Sequence, residues 1–262
     1  MLDLYIAAWR DTTTRLDALL RALDDDAWSR RTALPGWDVH DVVAHLAHLE
    51  AVLAGTDRST PTGPGGATVV SDYTQSGVDA RSDVAAPELV DELSAAVAAR
   101  TAELTPAPTD PAGRPPRTPG DVAWDWQTLL RNRVVDTWVH ELDLRDALER
   151  PGGEDAPGAH VTVHSLAAAM PFVLGRKVRP APGTSARWIL TGPVHHAVTI
   201  GLGDDGRARP VEVADPDVTL TLSSTDFVRL AAGRRGPDAV EVRVDGDADL
   251  GTRVLGAMNV LF

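Results

Sequence analysis

Three side chains in two helix-like stretches of the chain have the types and spacing of metal ligands. His45 lies in GWDVHDVVAHLAHLE (residues 36–50), and Asp136 and His140 lie in RNRVVDTWVHELDLRDALER (residues 131–150). An Asp and a His four residues apart point from adjacent turns of one helix face. A His from a facing helix would complete a three-ligand site with open positions, as metal-assisted chemistry requires. Imidazole and carboxylate donors indicate a divalent ion, with zinc as the first candidate and nickel, iron and manganese as alternatives.

Helical periodicity places these three side chains toward an interior. At 100° per residue, Asp136 and His140 share a stripe with Asp143, and Arg133 lies at the edge of that stripe. The opposite side carries charged residues that are expected to face solvent, namely Arg131, Glu141, Arg145 and Glu149. His45 lies within an apolar arc of its own helix. Buried ionisable groups need partners, and a shared metal ion would supply one.

A simpler explanation of the pattern stays open. His40 falls on the outer face of its helix and His48 at the edge of the apolar arc, so His45 is the inward histidine. An inward histidine is more often a hydrogen-bonded core residue than a ligand. D-x3-H within a helix is also a weak pattern. The spacing of these residues and the helix face they occupy are therefore compatible with hydrogen-bonded core residues as well as with a metal site.

Two arginines are candidates for contacts with an anionic group. Arg133 is the catalytic candidate, because from the edge of the stripe it could orient a ligand or contact a substrate carboxylate. Arg81, in QSGVDARSD after a long loop at residues 55–67, is the cofactor-binding candidate because it could neutralise an acidic group. For Arg81, an exposed helix arginine is the simpler interpretation. The histidines of the second half are interpreted as structural: His160, His164, His195 and His196.

The first 150 residues are predicted to be helical. Apolar periodicity indicates helices over residues 2–24, 38–54, 70–104 (with an interruption or restart at Pro87) and 124–149. Asp38 and Asp41 have the spacing of a capping box, and Trp37 and Val42 that of a hydrophobic staple. Four helices predict a four-helix bundle over residues 1–150.

The pattern changes after PGGEDAPG, residues 151–158, which is predicted to be a linker. Alternating or β-branched runs predict strands at ARWILTG, HHAVTIGLG, VTLTLSS and VEVRVDGD. Helices are predicted at HVTVHSLAAAMPFVLGR, Thr225–Ala232 and Ala248–Leu261. The predicted fold class is therefore α plus α+β, with a helical bundle over 1–150 and a small α+β domain over 159–262.

Composition narrows the function classes. The net charge of −13 argues against nucleic acid as a partner, because phosphates would be repelled. The chain has no cysteine, so any thiol chemistry must use a thiol from outside. The N-terminus lacks the features of a signal peptide, and no uncharged apolar run approaches the roughly 20 residues of a membrane span. A cytoplasmic protein without membrane contacts is expected.

Two motifs resemble those of a known family. LPGWDVHDVVAHLAHLE resembles the LPGW and AH stretch of mycothiol-dependent maleylpyruvate isomerases, and DTWVHELDLRDAL resembles their second motif, E-x3-H followed by D-L. The closing VRVDGDADLGTRVLGAMNVLF is similar to the end of that family's C-terminal domain. The resemblance covers nearly the whole chain, although its specific motifs lie in the first half. It implies a DinB-like four-helix bundle followed by a sterol-carrier-like α+β domain.

The resemblance also implies a ligand set and a cofactor. In the family, the AH histidine and the E-x3-H pair bind a divalent metal, usually zinc, which implies His45 and His140 as ligands here. Asp136 stands where the family usually has Glu. Asp is a competent but shorter ligand, so the ion, its position or the substrate could differ. The family's cofactor is mycothiol, a cysteinyl thiol of actinobacteria, whose sulfur a metal converts to a thiolate near neutral pH.

Taken together, these features predict a metal-dependent, mycothiol-using isomerase or S-transferase acting on a small electrophile. The expected partners are that electrophile and a low-molecular-weight thiol, and the protein is expected to be a monomer or homodimer. One alternative is a non-catalytic, metal-binding or regulatory two-domain protein. Another is a metal-dependent enzyme that uses no thiol.

Overall fold

The chain folds into two compact units in the computed structural model, which describes residues 1–57 and 67–261. The units are Met1–Gly158 and Ala159–Phe262. The first is helical, and the second combines a five-stranded sheet with helices. The predicted fold class, a helical part followed by a small α+β part, is confirmed.

Four long helices dominate the first unit. They are α1 (Leu2–Leu20), α2 (Val39–Ala54), α4 (Ala86–Glu103) and α5 (Trp126–Leu148), with the shorter α3 (Ala67–Asp79) between α2 and α4 in the chain. α1 packs against α5, and α2 packs against both α4 and α3. The region predicted as one interrupted helix is thus two helices, because Pro87 occupies the first turn of α4, where a missing N–H costs nothing.

The predicted capping box of α2 is confirmed. The Asp38 carboxylate accepts a hydrogen bond from the Asp41 backbone N–H, and the Asp41 carboxylate accepts one from the Asp38 N–H, each at 3.1 Å. The helix ends at Gly55, whose φ of 72° lies in the left-handed region that glycine adopts without strain. Most of the loop predicted after Gly55 lies outside the described residues.

Helix ends elsewhere differ modestly from the prediction. α1 ends at Leu20 rather than near residue 24, and a 3₁₀ turn at Asp25–Ser29 follows it. α5 lies within about two residues of its predicted bounds. An apolar cluster from α1, α2, α4 and α5 fills the interior between these helices, with Leu16, Leu46, Leu89 and Leu144 among its fully buried members.

The second unit is built on a mixed sheet with the strand order β3-β2-β1-β4-β5. The strands are β1 (Ser185–Thr191), β2 (His196–Leu202), β3 (Ala208–Pro210), β4 (Val218–Ser223) and β5 (Val242–Gly246). β1 and β4 pair in parallel, and the other neighbours are antiparallel. Four of these strands were predicted. The short edge strand β3 was missed, because it contains only three residues and one is a proline.

The helices of the second unit are α6 (Pro157–Ala167), α7 (Met170–Phe172), α8 (Ser224–Ala231) and α9 (Ala248–Gly256). The predicted Ala248–Leu261 helix therefore ends five residues early. The predicted helix after the linker breaks up, since a π-helical turn at Val173–Val178 follows α7. The stretch Pro157–Val178 has the length and apolar composition of a membrane span, but these are also properties of a core helix, and 56% of its apolar window is buried.

The capping box generates a test of the fold. Asp38→Ala should lower the free energy of unfolding by about 1 kcal/mol, because the Asp41 backbone N–H at the start of α2 loses its carboxylate partner. Urea unfolding followed by far-UV circular dichroism measures the loss. Asp204→Ala, in an exposed turn, is the control and should change stability by less than about 0.5 kcal/mol. Equal effects of the two substitutions would contradict the role of the cap.

Candidate metal centre

The three residues singled out from the sequence converge in space. His45 lies on α2, and Asp136 and His140 lie on α5, with their candidate ligand atoms all within 4.8 Å of one another. The Asp136 Oδ1 atom is 3.4 Å from His45 Nε2 and 3.6 Å from His140 Nε2. The two imidazole rings lie edge to face, 4.8 Å apart. One carboxylate oxygen and two ring nitrogens therefore face a common point.

The two histidines are oriented by different means. The His140 Nδ1 atom is 3.0 Å from the Asp143 Oδ2 atom, so Asp143 holds the ring and leaves Nε2 as the free nitrogen. The buried His45 Nδ1 atom has no hydrogen-bond partner among the described residues. Packing confines that ring instead, with the Trp37 ring centre 5.4 Å away. A carboxylate behind a histidine is the usual support of a metal ligand, and Asp143 supplies it.

The Asp136 carboxylate is held from behind by Arg133. The Arg133 Nη1 atom donates to Asp136 Oδ2 at 2.8 Å, while its Nε and Nη2 atoms donate to Glu50 Oε1 at 3.1 and 2.8 Å. Only 2% of Arg133 is exposed. The sequence suggested that Arg133 orients a ligand or contacts a substrate carboxylate. Its geometry is that of a group that orients Asp136, and direct contact with a substrate stays a prediction.

The protonation states suit a metal ion. Burial alone would raise the pKa of Asp136, but the charges of Arg133 and the two histidines hold that pKa well below its usual value. Burial lowers the pKa of His45, although Asp136 opposes the effect. At neutral pH the site therefore offers a carboxylate and a neutral His45 imidazole, the forms in which these groups bind metals. This donor set fits a divalent ion such as zinc.

Glu50 was missed as a residue of this site, and Glu141 was placed wrongly. Glu50 ends the motif stretch of α2 and is fully buried, but a single acid near a helix end gives no signal of burial. Glu141 was expected to face solvent, yet it is 1% exposed. It accepts hydrogen bonds from Arg15 of α1 and from Arg145. α1 covers that side of α5, which a single-helix periodicity does not reveal.

Arg81 is buried, contrary to the simpler interpretation of an exposed arginine. Its guanidinium bonds Glu92, the Asp57 carboxylate at 3.3 Å and the Gly77 carbonyl at 3.1 Å. The neighbouring His48 is also fully buried, with Nδ1 3.1 Å from Asp57 Oδ2. Arg81 therefore holds buried side chains in place, and its contact with a cofactor stays a prediction.

The approach of α3 to α2 at His48 requires a glycine. A Cβ atom on Gly77 would lie 2.1 Å from a carbon of the His48 ring. Burial lowers the pKa of His48 to about 4, an effect that Asp57 opposes and Arg81 reinforces. The His48 ring is therefore neutral at pH 7.

Of the four histidines singled out in the second unit, His164 and His196 have rings in contact. The His164 and His196 rings lie 4.6 Å apart, and His164 Nδ1 donates to the His160 carbonyl at 2.7 Å. Within the ranges 1–57 and 67–261, no third metal donor joins this pair. The structural interpretation of these residues stays a prediction.

Comparison with known proteins identifies the family of the chain. The sequence model of the family described as "Mycothiol maleylpyruvate isomerase N-terminal domain" matches residues 9–145, which include all three candidate ligands. The chain belongs to this family. The resemblance seen in the sequence motifs is thereby confirmed.

Relatives extend the similarity to almost the whole chain. Two uncharacterized proteins of Mycobacterium tuberculosis, Rv0036c of strain ATCC 25618 / H37Rv and MT0041 of strain CDC 1551 / Oshkosh, are each 25% identical over 255 residues. These matches cover 93% of this chain and 90% of each relative. Crystal structures of a mycothiol-dependent maleylpyruvate isomerase and of a mutant of it are 18% identical, with TM-scores of 0.58 and 0.57. Each covers 92% of both chains, which shows a shared fold.

Asp136 provides the sharpest test of the ligand set. Asp136→Asn should weaken binding of a divalent ion, because the amide removes the charge of the ligand, whereas Asp136→Glu should keep binding. His45→Ala should remove most bound metal and leave the helical content unchanged. Elemental analysis and competition with a chromophoric chelator measure these effects. Equal metal affinity in wild type, Asp136→Asn and Asp136→Glu would show that the carboxylate does not coordinate.

His48 generates a prediction about acid stability. Its pKa is about 4 in the folded protein and about 6.5 when unfolded. As the pH falls from 6.5 to 4, the unfolded chain gains a proton that folded His48 does not, so stability falls by roughly 3 kcal/mol. His48→Gln cannot titrate, so its unfolding free energy should depend less steeply on pH in this window. Urea unfolding at several pH values checks this, and identical slopes would refute it.

Proposed function

We propose that this protein is a metal-dependent isomerase that uses mycothiol as its thiol. The observation that supports this most directly is the convergence of His45, Asp136 and His140 within a domain of the mycothiol maleylpyruvate isomerase family. The proposed substrate is a small electrophile with an activated double bond. The proposed location is the cytoplasm, with neither nucleic acid nor a membrane as a partner.

The proposed ligands leave room for a further donor. His45, Asp136 and His140 supply three protein atoms, and a tetrahedral ion needs a fourth. A divalent ion held there would favour the thiolate form of a mycothiol sulfur near neutral pH. The chain has no cysteine of its own, so the nucleophilic sulfur must come from the cofactor.

The surrounding residues keep the candidate ligands in the charge state and orientation that metal binding requires. Arg133 holds Asp136 ionised and occupies its Oδ2 atom, and Asp143 fixes His140 with Nε2 free. Trp37 is partly buried beside both histidines, with its ring centre 6.4 Å from that of His140. Its indole covers part of the site with apolar surface.

Arg81 is proposed to act toward the cofactor as part of a group. Its side chain is tied to Asp57 and Glu92, so it fixes the chain just beyond the end of α2. The proposed contribution of Arg81 to cofactor binding is to hold this part of the chain in shape, because its own charge is already paired with two carboxylates.

The thiol requirement is directly testable. Mycothiol should bind the metal-loaded protein tightly and the metal-free protein weakly, and binding should release a proton because the metal favours the thiolate. Calorimetry in buffers of different ionisation enthalpy measures both the affinity and the proton. S-methyl mycothiol is a matched ligand whose thioether sulfur has no proton to lose, so its binding should be weaker and release no proton.

The outcomes separate the rival functions. Mycothiol binding that is equal with and without metal, or absent, would contradict the proposal. Metal binding without thiol binding would favour a regulatory metal-binding protein, or an enzyme that uses no thiol if turnover is found. Turnover that returns free mycothiol would indicate an isomerase, and consumption of the thiol into a product would indicate an S-transferase.

A further inference from the structure

Glu50 lies where the four long helices of the bundle meet. It belongs to α2 and is fully buried, and one residue from each of the other three long helices approaches its carboxylate. The Trp9 indole of α1 donates to Oε1 at 3.0 Å, and the Arg133 guanidinium of α5 donates to the same oxygen. The Nε atom of Arg100, on α4, is 3.8 Å from Oε2. A buried carboxylate with these partners is fixed in position.

The contact between Glu50 and Arg133 reaches the candidate metal centre in one further step. Arg133 uses two nitrogens on Glu50 and a third on the Oδ2 atom of Asp136. The guanidinium is planar and rigid, so the position of Glu50 sets the direction from which Asp136 is held. The other oxygen of Asp136 then faces His45 and His140.

Charge gives Glu50 a second effect on the site. Arg133 is a buried cation directly behind a proposed ligand, and it would repel a divalent ion if nothing balanced it. The Glu50 carboxylate lies 2.8 Å from that guanidinium in an interior where charges are weakly screened. Glu50 thereby offsets the charge of Arg133 while Arg133 orients Asp136.

We infer that Glu50 is a positioning residue for the metal ion, acting through Arg133 to make Asp136 a ligand through one oxygen only. This inference rests on the metal binding in the proposed function. It explains why a cation stands next to a proposed cation site. It also assigns a role to a buried acid that contacts neither the ligand atoms nor a substrate.

Glu50→Gln tests the inference because glutamine keeps the shape of the side chain and removes its charge. The affinity for Zn²⁺ should fall by about 10- to 100-fold, the usual effect of losing a residue that supports a ligand. Competition with a chromophoric chelator measures the affinity. The visible absorption spectrum of Co²⁺ bound in place of zinc should also change, because the orientation of Asp136 changes.

Two control variants separate positioning from general loss of packing. Glu141→Gln removes the charge of a different buried carboxylate. Glu141 lies on α5 and pairs with Arg15 and Arg145 rather than with Arg133. Trp9→Phe removes a hydrogen bond to Glu50 itself but leaves Arg133 in contact with it. Both controls should keep the zinc affinity and the cobalt spectrum of the wild type.

Each outcome decides the inference. A folded Glu50→Gln protein with wild-type affinity and spectrum would overturn it, as would equal losses in Glu50→Gln and both controls. If Glu50→Gln does not fold, Glu50→Asp keeps the charge but withdraws it by one methylene, and unchanged affinity there would overturn the inference as well. A wild-type protein that binds no divalent ion would instead overturn the proposed function.

Discussion

The burial of charge between α2 and α5 is the constraint on which the first unit depends. Arg133 is the nearest cation to the buried Glu50, and either charge without the other would be costly in the interior. The pair therefore fixes how α2 and α5 lie against each other. His45 is on the same helix as Glu50, and Asp136 and His140 are on the same helix as Arg133. The register set by the ion pair is thus also the register that brings the candidate ligands together.

Periodicity sufficed to predict the ligand-bearing helices and the shared face of Asp136 and His140, although it wrongly placed Glu141 on the solvent side. α2 has a capping box at one end and a glycine at the other, so its bounds follow from local chemistry. On α5, the spacing of Asp136 and His140 is a property of one helix and needs no knowledge of the fold. The pairing of α5 with His45 came from the family resemblance and from the inward placement of that histidine.

The features that could not be predicted from the sequence are contacts between residues far apart in the chain. Glu141 is buried because Arg15, 126 residues away, reaches it from α1. Nothing around Glu50 in the sequence signals that Arg133, 83 residues away, will balance it. In the second unit, the alternation of buried residues along β4 marks a strand with one covered face. β3 is an edge strand of three residues, too short to show any alternation.

The two imidazoles are secured differently, and at a site that held the proposed ion this difference would set the order in which ligands exchange. Asp143 locks the His140 ring, whereas packing against Trp37 confines the His45 ring, whose Nδ1 atom has no partner among the described residues. A histidine ring that is confined by packing can rotate slightly about its side-chain bonds, whereas a hydrogen bond to the second ring nitrogen fixes the ring orientation. An ion bound between the two helices would therefore lose His45, its ligand from α2, first. α5, with two ligands in adjacent turns, would retain the ion during exchange.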